Sequence, residues 1–183
     1  MTARPRPARA LADTLDALAS VVRTTTDALY VSRPHDRVSG SIGAHVRHAI
    51  DHVAALVDGR GPGIIDYDTR RRGTEIERDR EGAVRELTRL SDTLRRWTPL
   101  DDRVATHVSA DVDSSGARVV YASTVGRELV FVLSHTVHHQ AIIALLLASA
   151  GVSTPERFGV APSTPSIVPA ARVQEPLSCA RSA

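Results

Sequence analysis

The amino-acid sequence predicts an all-α domain: a four-helix bundle with a small β-hairpin inserted between its third and fourth helices. Three observations carry that expectation. Apolar residues recur at helical spacing through four long segments; glycine and proline fall between those segments; and one stretch, residues 103–121, changes to the alternation of a strand pair. At 183 residues the chain accommodates one bundle over residues 1–165 and a tail over 166–183, and a bundle of that size buries a substantial core.

The first helix is expected from Ala8 to Tyr30, where Leu11, Leu15, Leu18, Val22 and Leu29 follow Pro5 and Pro7, and Pro34 closes it. Ser39 or Ser41 caps a second helix that runs to about Asp58, before the break made by Gly59, Gly61, Pro62 and Gly63. Residues 64–73 read as irregular. Thr74 followed by Glu77 fits a capping box, and Ile76, Val84, Leu87, Leu90, Leu94 and Trp97 carry the third helix to Pro99. Val104, Thr106, Val108, Ala110 and Val112 alternate, Asp113 to Gly116 offer a turn, and Val119 and Val120 begin the return strand. Thr124 caps the last and most apolar helix, which stops at Gly151. Beyond it, Pro155, Pro162, Pro165, Pro169 and Pro176 oppose regular structure, and the tail is expected to be disordered.

Composition narrows the classes of function. Aromatic residues are 3% of the chain, so the expected core is aliphatic. All 23 basic residues are Arg against 21 acidic ones, and runs such as Arg78-Asp79-Arg80-Glu81 alternate in sign like a solvated helix face, which argues against nucleic acid as a partner. The longest apolar run, Ala141 to Ala148, is too short to span a bilayer, so no membrane is expected. The single cysteine, Cys179, offers neither a disulfide framework nor a thiolate metal site, and suits a reducing cytoplasm.

Six of the eight histidines fall in two windows of the expected long helices: His45, His48 and His52, and His135, His138 and His139. On a helical wheel His45 and His52 stand at the edge of the second helix's apolar stripe and His48 further round, the least inward of the three. His135 and His139 are one turn apart on the inward side of the last helix, with His138 at the flank. Imidazoles at i and i+4 are spaced to give one metal two nitrogen ligands, a third can come from a facing bundle helix, and three protein ligands with an open position suit a catalytic ion. His48, His52 and His138 read foremost as helix-surface or core histidines satisfied by carbonyls and carboxylates, with rim or orienting roles as the alternative. Imidazole suits zinc, nickel, iron and copper alike.

The segments Ser41-Ile-Gly-Ala-His45-Val-Arg-His48 and Ser134-His135-Thr-Val-His138-His139 resemble the DinB-like, or YfiT-like, metal-binding superfamily. So do Asp66-Tyr67-Asp68-Thr-Arg70-Arg-Arg72 before Ile76-Glu77, the stretch from Gly126 to Val132, and the exit Phe158-Gly159-Val160-Ala161-Pro162-Ser163-Thr164. The likeness spans about residues 10–165. It implies a four-helix bundle, often dimeric, with a divalent metal, zinc foremost and nickel or iron as alternatives, on one His of the second helix and an HxxxH pair of the last: His45, His135 and His139. It also implies thiol-dependent transferase or isomerase chemistry on a small-molecule substrate, using a low-molecular-weight thiol such as bacillithiol or mycothiol. Gln140-Ala141-Ile142 replaces the Arg-Gly-Gln that follows the commoner HxxxH, which places this sequence on a side branch.

The segment from Tyr67 to Glu77 concentrates Tyr67, Arg70, Arg71, Arg72, Glu75 and Glu77 after a glycine-rich break. Arg70 or Arg72 could bind the carboxylate of a thiol cofactor or organic acid, and Tyr67 or Glu77 could move a proton near the metal; the alternative is a solvated connector. Two classes of function stay open at this point: a metal-dependent enzyme, a thiol S-transferase or a hydrolase, and a non-catalytic metal- or ligand-binding bundle.

Overall fold

The computed structural model describes residues 6–33, 38–60, 63–69, 74–98 and 101–165. Helix α1 spans Pro7–Thr24, α2 Asp27–Val31, α3 Ile42–Gly59, α4 Arg80–Arg95 and α5 Val125–Ser149; strands β1, β2 and β3 span Ile64–Asp66, Ala105–Asp111 and Arg118–Thr124. The four long helices form a closed ring of neighbours, α1 lying on α4 and α5, and α3 completing the ring between them. Their inward faces are aliphatic, with Leu11, Leu15, Leu18, Val46, Val53, Leu56, Leu87, Leu90, Leu129, Val132, Ile143 and Leu146 all fully buried. Each such Leu or Ile contributes roughly 1.5–3 kcal/mol by leaving water.

The all-α expectation is corrected by the sheet. Among the described residues five α-helices share the fold with a three-stranded mixed sheet of order β1-β2-β3, so the class is mixed α and β. The expected hairpin is β2–β3, antiparallel with Val108 opposite Tyr121 and Thr106 opposite Ser123. What overturns the class is β1: residues read as irregular pair in parallel with β2, Ile65 opposite Val108. A three-residue strand is too short to declare itself by alternation, and its partner lies beyond an intervening helix. Ile65 is fully buried, and the sheet closes on the end of α3 at Gly59, where a Cβ would meet the Ile64 carbonyl oxygen at 2.6 Å.

Two boundaries also differ. The first helix breaks at Thr24-Thr25-Thr26: the hydroxyls of Thr24 and Thr25 both donate to the Val21 carbonyl, and the Thr26 hydroxyl accepts from Leu29 N–H to start α2. The expected capping box at Thr74 makes no side-chain cap; residues 75–77 form a single 3-10 turn. Helix α4 starts later, at Arg80, with Asp79 accepting from Gly82 N–H. That turn lies hard against the start of α3, where a Cβ on Gly43 would meet the Glu77 carbonyl oxygen at 2.2 Å.

Ser41 and Thr124 cap α3 and α5, accepting from Ala44 and Arg127 N–H groups. Thr124 is also the last residue of β3, so strand and helix join without a loop. Helix α5 is long and apolar enough to cross a membrane by length and composition alone; its Leu129, Val132, Ile143 and Leu146 face the core. The expected tail, residues 166–183, lies outside the described residues.

Candidate metal centre and adjoining cavity

Helices α3 and α5 pack side by side, and the edge of α3 that carries His45, His48 and His52 meets the edge of α5 that carries His135 and His139. The Nε2 atoms of His48 and His135 lie 3.1 Å apart across that seam. Two nitrogens bound to one tetrahedral ion at ordinary zinc bond lengths stand about 3.3 Å apart, so the pair has the separation a shared ion needs. His48, His52 and His135 each bring a ring nitrogen within 4.8 Å of the others, close enough for one metal ion. His139 stands beside this group, with its ring centroid 4.6 Å from those of both His48 and His135.

The hydrogen bonds assign tautomers on either side of this group. His45 Nε2 lies 2.9 Å from the Ser39 carbonyl oxygen, to which it must donate, so the His45 lone pair is on Nδ1. His139 Nδ1 lies 3.1 Å from that nitrogen and therefore donates to it. The lone pair of His139 is then on Nε2, the nitrogen a metal would use. His52 is fixed in the same sense, its Nδ1 donating to the His48 carbonyl oxygen at 3.0 Å. Its ring is stacked between His135 at 4.0 Å and Tyr67 at 5.4 Å.

Burial holds two members of the cluster, His139 and His45, toward the neutral form. Burial, reinforced by His48, His135, His45 and His138, pushes His139 from the ordinary 6.5 down to about 2. Burial also lowers His45, against the raising effect of its bond to the Ser39 carbonyl. Neutral imidazoles crowded together are metal ligands in waiting, since each lone pair must find either a proton donor or a cation.

Beyond His52 a second arrangement begins. Glu128, in the first turn of α5, is completely buried. Its carboxylate accepts from the Tyr67 hydroxyl at 3.0 Å, the Ser123 hydroxyl at 2.5 Å and Arg127 Nη1 at 2.9 Å. Burial and the Glu128 charge push the Tyr67 phenol well above its usual range, so it stays protonated. These residues, with His52, Asp68, Val108, Ala110, Tyr121, Ala122 and Phe131, line a cavity of about 480 Å³ between the sheet and α5.

Of the expected site residues, the structure brings His135 against His48 and His139 against His45. His48, read on the wheel as least inward, is at the centre of the group, because the histidines face the α3–α5 seam rather than the middle of the apolar stripe. Tyr67 is brought beside His52. Glu77 lies away from the histidines, on the 75–77 turn, its carboxylate 2.6 Å from Nε of Arg47 on α3. Arg70 and Arg72 lie outside the described residues. The sequence reading passed over Glu128, Ser123 and Arg127 as site residues. A signal for Glu128 was present: it shares the buried phase of α5 with Val125, Leu129 and Val132, an unusual place for a carboxylate.

No protein-family model matches the chain. Over 102 residues it is 31% identical to FK506-binding protein 5 of Rhizopus delemar, a match that takes in 55% of this chain and 26% of that protein. The chain thus spans about a quarter of that relative's length.

Proposed function

We propose that this protein binds one divalent metal ion through His48, His135 and His139 and uses it in transferase or isomerase chemistry with a low-molecular-weight thiol. The observation that carries the metal assignment is the mutual orientation of three rings. Their centroids are 5.0, 4.6 and 4.6 Å apart and their planes cross at 65°, 75° and 68°. Three imidazoles on one tetrahedral ion have centroids about 5 Å apart. His52, whose ring nitrogen lies within 4.8 Å of those of His48 and His135, is stacked face to face on His135 with planes 26° apart and commits its Nδ1 proton to the His48 carbonyl; it then packs a ligand ring, and His139 completes the ligand set. In this reading His45, the residue the family resemblance put in the ligand set, holds the ring of His139 and relays it to the Ser39 carbonyl.

A divalent ion held there supplies Lewis acidity and favours the deprotonated form of a bound thiol or water. The chain's own residues do the rest. His45 fixes the tautomer of His139. His52 shields one side of His135, and Tyr67, kept protonated by Glu128, backs His52. The thiol chemistry is supported by the DinB-like segments around Ser41, Asp66, Gly126, Ser134 and Phe158, and by the need for an external sulfur in a chain whose single cysteine is at position 179.

Elemental analysis of protein purified without a histidine tag tests the metal, and thiol titration of the cobalt-substituted form tests the chemistry. One equivalent of metal and a sulfur-to-cobalt absorption band are expected. Stoichiometric metal in His48→Ala would overturn the ligand set, and metal without any thiol band would leave a binding protein in place of a thiol-dependent enzyme.

A further inference from the structure

The cavity between the sheet and α5 has a chemistry of its own, which does not depend on the metal. One wall is apolar and aromatic, made by Val108, Ala110, Tyr121 and Phe131. The polar atoms opposite are set by Glu128. Because the Tyr67 and Ser123 hydroxyls both donate to that buried carboxylate, their protons are committed inward and their oxygens are left to act as acceptors. Asp68 adds a carboxylate that accepts from Asp111 N–H through Oδ2. The guanidinium of Arg127 is paired with Glu128 and lies over the Phe131 ring, 5.4 Å from its centroid. Arg127 therefore offsets the charge of Glu128, while Asp68 leaves the lining with an excess of negative charge.

We propose that this cavity is a binding site for a small, uncharged aromatic or heteroaromatic molecule that carries an N–H or O–H donor. The aromatic wall takes the ring, and the oxygens of Tyr67, Ser123 and Asp68 take the donor. An anionic ligand is disfavoured by Asp68, and a ligand without a donor leaves desolvated oxygens unsatisfied, which is the stronger basis for selectivity in a part-buried site. The volume, about 480 Å³, is in the range of small-molecule sites. Tyr121 stands with its side chain largely in solvent, 63% exposed, as an aromatic wall does when its ring partner comes from outside.

Calorimetric titration with three probes tests the site: indole, 1-methylindole, which lacks the donor, and indole-3-carboxylate, which adds a negative charge. The expected order puts indole first; 1-methylindole is weaker by about tenfold, the worth of one hydrogen bond to a buried acceptor, and indole-3-carboxylate by about tenfold through repulsion between its charge and the Asp68 carboxylate. Tyr121→Ala, a change on an exposed strand position that leaves the fold intact by circular dichroism, should weaken indole by about tenfold as well. The same order is expected with and without zinc, so failure of the metal assignment leaves this result standing. The proposal is overturned if indole gives no saturable heat at low-millimolar concentration, if 1-methylindole or the carboxylate binds as well as indole, or if Tyr121→Ala binds indole unchanged.

Discussion

His48 and His135 face each other across the α3–α5 seam with their Nε2 atoms 3.1 Å apart. Two neutral imidazoles can share one proton at that distance, or both can turn their lone pairs to a cation. The first choice satisfies one nitrogen pair and leaves the crowded neighbours His52 and His139 in place. The second also draws in the lone pair of His139.

Removing either partner should therefore abolish metal binding. His48→Ala, His135→Ala and His139→Ala are each expected to hold well under one equivalent by elemental analysis, whereas His52→Ala keeps it. His45→Ala should keep the stoichiometry but weaken affinity by roughly 10–100-fold, the usual effect of losing an orienting partner of a ligand. Equal loss in His45→Ala and His139→Ala would make His45 a ligand instead.

The metal-free protein should lose stability in acid earlier than its carboxylates dictate. His139 is held down to about 2 in the folded chain against an ordinary 6.5, so between those values the unfolded chain binds a proton the folded chain refuses. Stability from this source is complete above pH about 6.5 and falls as the pH drops through the window toward 2, with His45 acting in the same direction. Melting curves of the metal-free form between pH about 7 and about 4.5 check this, and His139→Asn should flatten the dependence.

Glu128 should prove the most costly side chain to truncate outside the aliphatic core. Glu128→Ala strands the Tyr67 and Ser123 hydroxyls beside a new void, at a cost of about 3–5 kcal/mol in denaturant unfolding. Tyr67→Phe removes one of three donors and should cost about 1–2 kcal/mol. A Glu128→Ala loss no larger than that of Tyr67→Phe would mean the carboxylate is solvated.

Gly43→Ala places a methyl group where the Glu77 carbonyl oxygen now sits 2.2 Å away. The 75–77 turn must shift, at about 1–3 kcal/mol, and the Arg47–Glu77 ion pair shifts with it. Thermal unfolding measures the loss; an unchanged melting temperature would show that the turn moves freely.

Much of the helical framework was legible because it rests on local rules. Ser41 and Thr124 cap as their side chains and following residues dictate, and Leu11, Leu15, Leu18 and Val22 are buried where the period places them. The sheet was not legible in full, since β1 depends on β2 rather than on its own three residues. The histidines were legible as two windows but not as one geometry. A wheel centred on apolar residues finds the core, while His48 faces a neighbouring helix at the edge of that stripe. The Tyr67–Glu128 contact joins residues 61 positions apart, beyond any rule of spacing.

The parallel pairing of β1 with β2 also bears on how the molecule assembles. The hairpin β2–β3 closes a short loop, and its ladder can form soon after its turn. Ile64 must find His107 across the intervening α4, a closure that costs more chain entropy and returns nothing until the helices have begun to dock. Strand β1 is then the late arrival, and Tyr67 travels with it. The wall that carries Tyr67 is completed near the end of folding, so intermediates would hold the metal-bearing seam of α3 and α5 before they hold a finished cavity beside it.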